Sequence, residues 1–199
     1  MGTLSPDVAV VGAGIIGAAV ARELAVRGVR VTLLDRWGVS EGTTGRGEGN
    51  VLASDKEVGP ELELTRLGLA VYDELDQRLG AQARIRRKGA LIVHPEAATW
   101  AEEPARLERL RAAGVEGGLL GPDELRAAEP ALDGELCGAS RFPGDLHCDP
   151  AGIARALVRE AREAGAAVQL GREVTRIVAA GGRVTGLETA AGPLAAGAV

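Results

Sequence analysis

The sequence predicts an α/β fold in which a parallel β-α-β unit is interrupted by an inserted α+β region. Three observations predict it. The stretch VAVVGAGIIGAAVARELAVRGVRVTLLD, Val8 to Asp35, alternates a Val-rich run, a glycine turn, a helical segment and a second apolar run. A polar, glycine-rich loop, GVSEGTTGRGEGN (38–50), follows where a simple repeat of the unit would place a helix. The next segment suited to a third strand of the first sheet comes only near residue 167.

The elements follow from local pattern. Residues 7–12 read as a buried parallel strand, because the run is apolar on both faces. Ile15–Arg27 is a helix stopped by Gly28, and Val29–Asp35 is the second strand. Pro60–Leu79 has helical period, which predicts one apolar face of Leu64, Leu67, Val71, Leu75 and Leu79. Residues 84–94 read as two strands pinched at Lys88-Gly89. Trp100–Ala113 is a charged helix, and 121–130 a short one with Pro122 at its first position. A strand is expected at Leu136–Phe142. Asp149 then caps a helix that starts at Pro150 and buries Ile153, Leu157, Ala161 and Ala164. Strands follow at Ala167–Leu170, Val174–Ala179 and Val184–Thr189, the last two forming a hairpin across Gly181-Gly182. One more is expected to begin at Leu194–Val199.

Composition bounds the function. The chain has 199 residues, 46% hydrophobic and 26% charged, an ordinary balance for a globular protein. Aromatics make up only 2%, so the core must be aliphatic. A formal charge of -5 gives no reason to expect nucleic acid or an anionic membrane as a partner. No run reaches the roughly 18 apolar residues of a membrane span. Val8–Val20 follows Asp7 rather than positive charge, so it is not read as a secretory leader. The expected compartment is the cytoplasm, where Cys137 and Cys148 stay unpaired.

The glycines carry the first chemical argument. In Gly12-Ala13-Gly14-Ile15-Ile16-Gly17 the first glycine permits the tight turn, and the second lets backbone approach a pyrophosphate. The third lets helix and sheet pack closely. The helix start then offers free N–H groups and a positive dipole end to phosphate. Asp35, 18 residues beyond Gly17, ends the second strand where a carboxylate accepts hydrogen bonds from an adenosine ribose. The same acid repels a 2′-phosphate, which disfavours NADP. Between NAD and FAD, the order of elements decides. An NAD-type half continues helix–strand directly, whereas the delay until residue 167 is a flavoprotein arrangement of glutathione-reductase type.

The N-terminal unit, GTTGRGEGN, FPGDLHCDP leading into a helix, and VTRIVAAGGRVTGLETAAGPLAAGAV occur in an order that resembles the D-amino-acid oxidase/dehydrogenase-type flavoprotein family. This group includes glycine oxidase and sarcosine oxidase. The resemblance implies FAD as cofactor, with Gly12, Gly14, Ile15, Ile16 and Gly17 on the pyrophosphate and Asp35 on the ribose. It places Arg36 along the adenine, where the alternative is a solvated surface charge. Thr43 and Thr44 bond the phosphates in this reading, against an ordinary polar turn. Arg46, Gly47, Glu48, Gly49 and Asn50 run beside the flavin ring, and Val174 offers its backbone to the adenine edge from the third sheet strand. The expected domains are 1–80 with 145–199 for FAD, and 81–144 as part of a substrate domain.

Family members oxidise a C–H beside an amine nitrogen, passing a hydride equivalent to flavin N5 and leaving an imine that water hydrolyses. The substrate implied is an amino acid or secondary amine. No metal site or catalytic triad is needed, and no catalytic residue is assigned. His94 and His147 read as structural or surface residues, and Arg84–Lys88 as a solvated strand face rather than a carboxylate site. Family chains are longer, so the resemblance implies an N-terminal portion that is apparently truncated. Two further readings stay open: a nucleotide-binding module active only with a complementary chain, and an FAD-dependent monooxygenase-type enzyme; the expected partners are a small-molecule substrate and either a complementary chain or further copies in a homo-oligomer.

Overall fold

A computed structural model describes residues 5–199. In chain order the elements are β1 (Val8–Val11), α1 (Ile15–Val26), β2 (Val31–Leu34), α2 (Thr43–Arg46), β3 (Asn50–Val51) and α3 (Pro60–Leu79). Then come β4 (Ala90–His94), α4 (Ala97–Ala112), β5 (Gly118–Leu120), α5 (Pro122–Ala128), β6 (Gly138–Phe142) and β7 (Leu146–His147). The chain continues through α6 (Pro150–Glu163), β8 (Ala167–Gln169), β9 (Val174–Ala180), β10 (Arg183–Thr189) and β11 (Gly192–Ala195). They form two compact units. One holds the described residues up to Glu48, with Ala81–Ala83 and Asp149–Val199; the other holds Gly49–Gly80 and Arg84–Cys148.

In the first unit β1, β2 and β8 make a parallel sheet, with Val8 opposite Val31 and Thr32 opposite Ala167. The delayed strand at 167 therefore joins the first sheet through β2. Helices α1 and α6 lie together; α1 buries Ala18, Ala21 and Ala25, and α6 buries Ala154, Ala156 and Ala161 alongside Gly152, Ile153, Leu157 and Val158. Such small side chains let two helix backbones approach closely. Arg22 reaches across from α1 to Glu160 of α6 at 3.1 Å. At the start of α6, Asp149 accepts from the Gly152 N–H at 2.8 Å, the cap expected from Asp149-Pro150. A second sheet, β11-β10-β9, is antiparallel, and Ala9, Leu34, Leu187 and Ala196 pack into one apolar cluster of this unit.

In the second unit, β4-β6-β5 form an antiparallel sheet, and β3 pairs with β7. Its core joins Ala53 and Leu62 to Leu107, Leu110, Val115 and Phe142. Beside that core lies a buried acid. Glu103, only 3% exposed, accepts from Arg106 at 2.9 Å and from the Ser140 hydroxyl, and faces His94 Nε2 at 3.6 Å.

Several expectations are corrected. On α3 the buried residues are Leu62, Leu75 and Leu79, while Leu64, Leu67 and Val71 are 70%, 69% and 51% exposed. The helical period holds, but the packed face is set by the Leu62 side, where the unit's core lies. The loop 38–50 contains the single turn α2 and enters β3. Residues 84–94 form one strand, β4, plus an isolated bridge between Arg86 and His147. Gly89 separates them at φ +72°, a left-handed conformation that breaks a strand. The segment expected as one strand at 194–199 divides in two. β11 extends the antiparallel sheet, and Ala198 bridges to Val8 in parallel, with its N–H on Asp7 O at 3.0 Å.

Val174 also moves: it opens β9 of the antiparallel sheet, whereas the third strand of the parallel sheet is β8. The unit boundary differs from the expected division too. Residues 49–80 group with the second unit because α3 contributes Leu62 to its core, and the later boundary falls at Asp149 rather than 145. Residues 1–4 of the expected first segment lie outside the described residues.

Candidate functional site

Three local features build a cleft at the start of α1. Gly12 has φ +105°, which turns the chain sharply out of β1. A Cβ placed on Gly17 would lie 1.8 Å from Gly12 O, so no larger residue fits there without moving the turn. Gly14, the N-cap of α1, has no side chain to cap the helix. The first amides of an α-helix have no partner within it, so those of α1 need acceptors from elsewhere.

Two side chains meet part of that need. Thr44 Oγ1 accepts from Ile15 N–H at 3.0 Å. Asp35 accepts from Ala13 N–H at 2.8 Å through one oxygen and from Trp37 N–H at 2.7 Å through the other. An ionised carboxylate has about four acceptor positions, so two remain for a ligand. The acid that sequence reading aims at a ribose is therefore also the clasp between the glycine turn and the end of β2.

The resulting cleft, about 430 Å³, brings together Gly12, Gly14, Asp35, Arg36, Thr43, Thr44 and Val174 from the residues the sequence singles out. Ile15, Ile16 and Gly17 form the first turn of α1 behind it, with the Ile16 side chain exposed. Arg46, Gly47, Glu48, Gly49 and Asn50 do not line it. Asn50 pairs with His147 in β3–β7, and Gly49 O accepts from Cys148 N–H at 2.9 Å.

The cleft also contains residues that sequence reading did not assign, Trp37, Ser40 and Arg172 among them. The guanidinium of Arg36 sits 3.9 Å from the Trp37 ring centroid, a cation–π stack. Trp37 is held at both backbone groups, its N–H on Asp35 and its carbonyl accepting from Gly171 N–H at 2.8 Å. Ser40 is buried at φ +66°, with a hydroxyl that has no partner among the described residues. Arg172 donates from its backbone to Asp35 O at 2.8 Å and from Nε to Thr189 Oγ1 at 2.9 Å. The one available signal was Trp37, a large aromatic beside Arg36 in a chain with two tryptophans.

Elsewhere, His94 is buried, His147 lies in β7 and both cysteines are free thiols. Burial, then Cys148, pushes the Tyr72 phenol up to about 12. Among the described residues no helix is long and apolar enough to cross a membrane.

A glycine turn from a parallel strand into a helix, with an acid at the next strand's end, defines a dinucleotide-binding α/β protein. The particular family is also shown: residues 7–199 match the family described as FAD dependent oxidoreductase, and the chain belongs to it. FAD is the cofactor that defines this family. The glycine turn, the uncapped start of α1 and the remaining acceptor positions on Asp35 fit such a group.

Among curated proteins, the chain is 34% identical over 206 residues to glycine oxidase of Geobacillus kaustophilus (strain HTA426), covering 97% of this chain and 53% of that one. It is 29% identical over 183 residues to one subunit of the anaerobic glycerol-3-phosphate dehydrogenase of Escherichia coli (strain K12), covering 92% of this chain and 33% of that one. Its fold superposes on the crystal structure of glycine oxidase from Geobacillus kaustophilus with a TM-score of 0.91 at 28% identity, over 99% of this chain and 55% of that chain. The chain thus spans between a third and about half the length of these relatives.

Proposed function

We propose that this chain supplies the FAD-binding portion of an oxidoreductase that oxidises the C–N bond of an amino acid or secondary amine. The observation that carries the cofactor assignment is the cleft at the start of α1, where Gly12, Gly14, Asp35, Thr43 and Thr44 converge. In this reading the amides at Gly14, Ile16 and Gly17 face the pyrophosphate, joined by the Thr43 and Thr44 hydroxyls, while the Ile15 N–H holds Thr44 in place. Asp35 uses its remaining acceptor positions on the ribose. Arg36 and Trp37 flank the adenine, and the Val174 backbone meets its edge. Arg46 to Asn50 are proposed as neighbours of the flavin ring on the family resemblance. The cofactor, when bound, supplies the redox chemistry by accepting a hydride equivalent; the chain's own residues bind and orient it.

The amine substrate is favoured by the similarity to glycine oxidase. A second reading, oxidation of a glycerol phosphate, is favoured by the similarity to the anaerobic glycerol-3-phosphate dehydrogenase. That relative is named as one of several subunits, which supports a complementary chain as partner. Anaerobic addition of glycine, sarcosine or glycerol 3-phosphate to the flavin-loaded protein separates the two. Bleaching of the flavin by an amine alone upholds the first reading; bleaching by glycerol 3-phosphate alone replaces it with the second.

A further inference from the structure

Among the described residues, two other than glycine have a left-handed backbone, Ser40 at φ +66° and Arg84 at φ +47°. Arg84 is exposed, whereas Ser40 is only 5% exposed. A side chain in that region carries a steric cost that glycine avoids, so its surroundings have to impose the conformation. At Ser40 they do so from two sides. Its N–H donates to Ala13 O at 3.1 Å, which ties it to the glycine turn. Gly45 of α2 stands behind its carbonyl, where a Cβ would lie 2.0 Å from Ser40 O. The loop is clamped between the glycine turn and α2.

The hydroxyl adds a second cost, because a buried polar group without a partner has lost its water and gained nothing in return. Ser40 and Ser54 are the described serines in this condition, and of the two only Ser40 lines the cleft at the start of α1. Ser140, which is also buried, donates to Glu103. Glycine at position 40 would remove both costs at once. The serine therefore brings something that glycine lacks, a hydroxyl donor beside Gly12, Gly14 and Thr44 in the wall of the cleft.

We propose that Ser40 is a positioning residue whose hydroxyl donates to the diphosphate of the bound dinucleotide. Rotation about its Cα–Cβ bond turns the oxygen toward the cleft, and an anionic phosphate oxygen makes the bond charge-assisted. The unpaired hydroxyl weakens the cofactor-free chain and finds its partner when the dinucleotide arrives. This role rests on the FAD reading of the cleft. It adds a residue that neither the glycine pattern nor the family resemblance assigns.

The test is calorimetric titration of wild type, Ser40→Gly and Ser40→Ala with FAD, ADP and adenosine, alongside thermal melts without ligand. Both variants should bind FAD and ADP about tenfold or more weakly, the loss of one charge-assisted hydrogen bond. Adenosine, which has no phosphate, should bind all three proteins equally. Ser40→Gly should also melt at a higher temperature than wild type, since the steric cost and the unpaired hydroxyl are both gone. Stability and affinity thus move in opposite directions. A serine that only shapes the loop would lower both together in the glycine variant, and that result overturns the proposal. Unchanged ADP affinity in the two variants overturns it as well, as does an equal loss for adenosine. If wild type binds neither FAD nor ADP, the cofactor reading of the cleft fails and this role with it. If wild type binds both and the variants match it, the role of Ser40 fails alone.

Discussion

The two units solve the same packing problem by opposite means. The first brings backbones together: Gly12, Gly14 and Gly17 shape the turn, and alanines let α1 approach α6. Its key polar contacts run from side chain to backbone, Asp35 to Ala13 and Trp37, and Thr44 to Ile15. The second unit fills space with Leu and Phe, and its buried polar cluster joins side chains to each other around Glu103. A backbone-built site tolerates almost no added atoms. A side-chain-built core tolerates shape changes better and is hurt most by unpaired charge.

Substitutions can break that contrast, beginning with the most damaging. Gly17→Ala places a Cβ 1.8 Å from Gly12 O and should cost about 3 kcal/mol by denaturant unfolding. A cost under about 1 kcal/mol would mean that the turn is not tightly packed. Glu103→Ala removes the acceptor of Arg106 and Ser140 and should cost about 2–3 kcal/mol, with Glu103→Gln recovering part of it. If the Ala variant is neutral, the cluster contributes nothing to stability.

Asp35→Ala should lose about 1–3 kcal/mol of stability even without cofactor, since Ala13 and Trp37 N–H groups lose their acceptor. A variant of unchanged stability that only binds FAD more weakly would restrict Asp35 to the ribose. Tyr72→Phe has the smallest effect, read as a change in the alkaline slope of stability. Because burial raises the folded phenol to about 12, the unfolded chain releases that proton first as pH rises above about 10. Stability is therefore full below pH 10 and falls between about 10 and 12. The Phe variant should lose that part of the alkaline slope in urea titrations at stepped pH, and an identical slope would contradict the burial.

The contrast also explains what could be read from the sequence. The β-α-β turn was legible because each glycine answers a local demand: a positive φ at Gly12 and a forbidden Cβ at Gly17 leave no other residue type. The cap at Asp149-Pro150 was legible for the same reason. On α3, periodicity identifies the helix but not its buried side, since Leu62 and Leu64 are equally apolar and only tertiary contacts choose between them. Val174 falls in a different sheet from the expected one because strand order is a long-range property. Ser40 and Arg172 reach the cleft through chain folding that no local pattern encodes. The second duty of Asp35 was hidden as well: its partner Ala13 is 22 residues away.

The most direct test of the central claim is the visible absorbance of the purified protein after incubation with FAD and removal of excess. Bands at about 375 and 450 nm that co-elute with the chain, and are lost or weakened in the Asp35→Ala variant, are the predicted result. A folded wild-type chain that stays colourless after reconstitution would contradict the assignment of the α1 cleft as its FAD site.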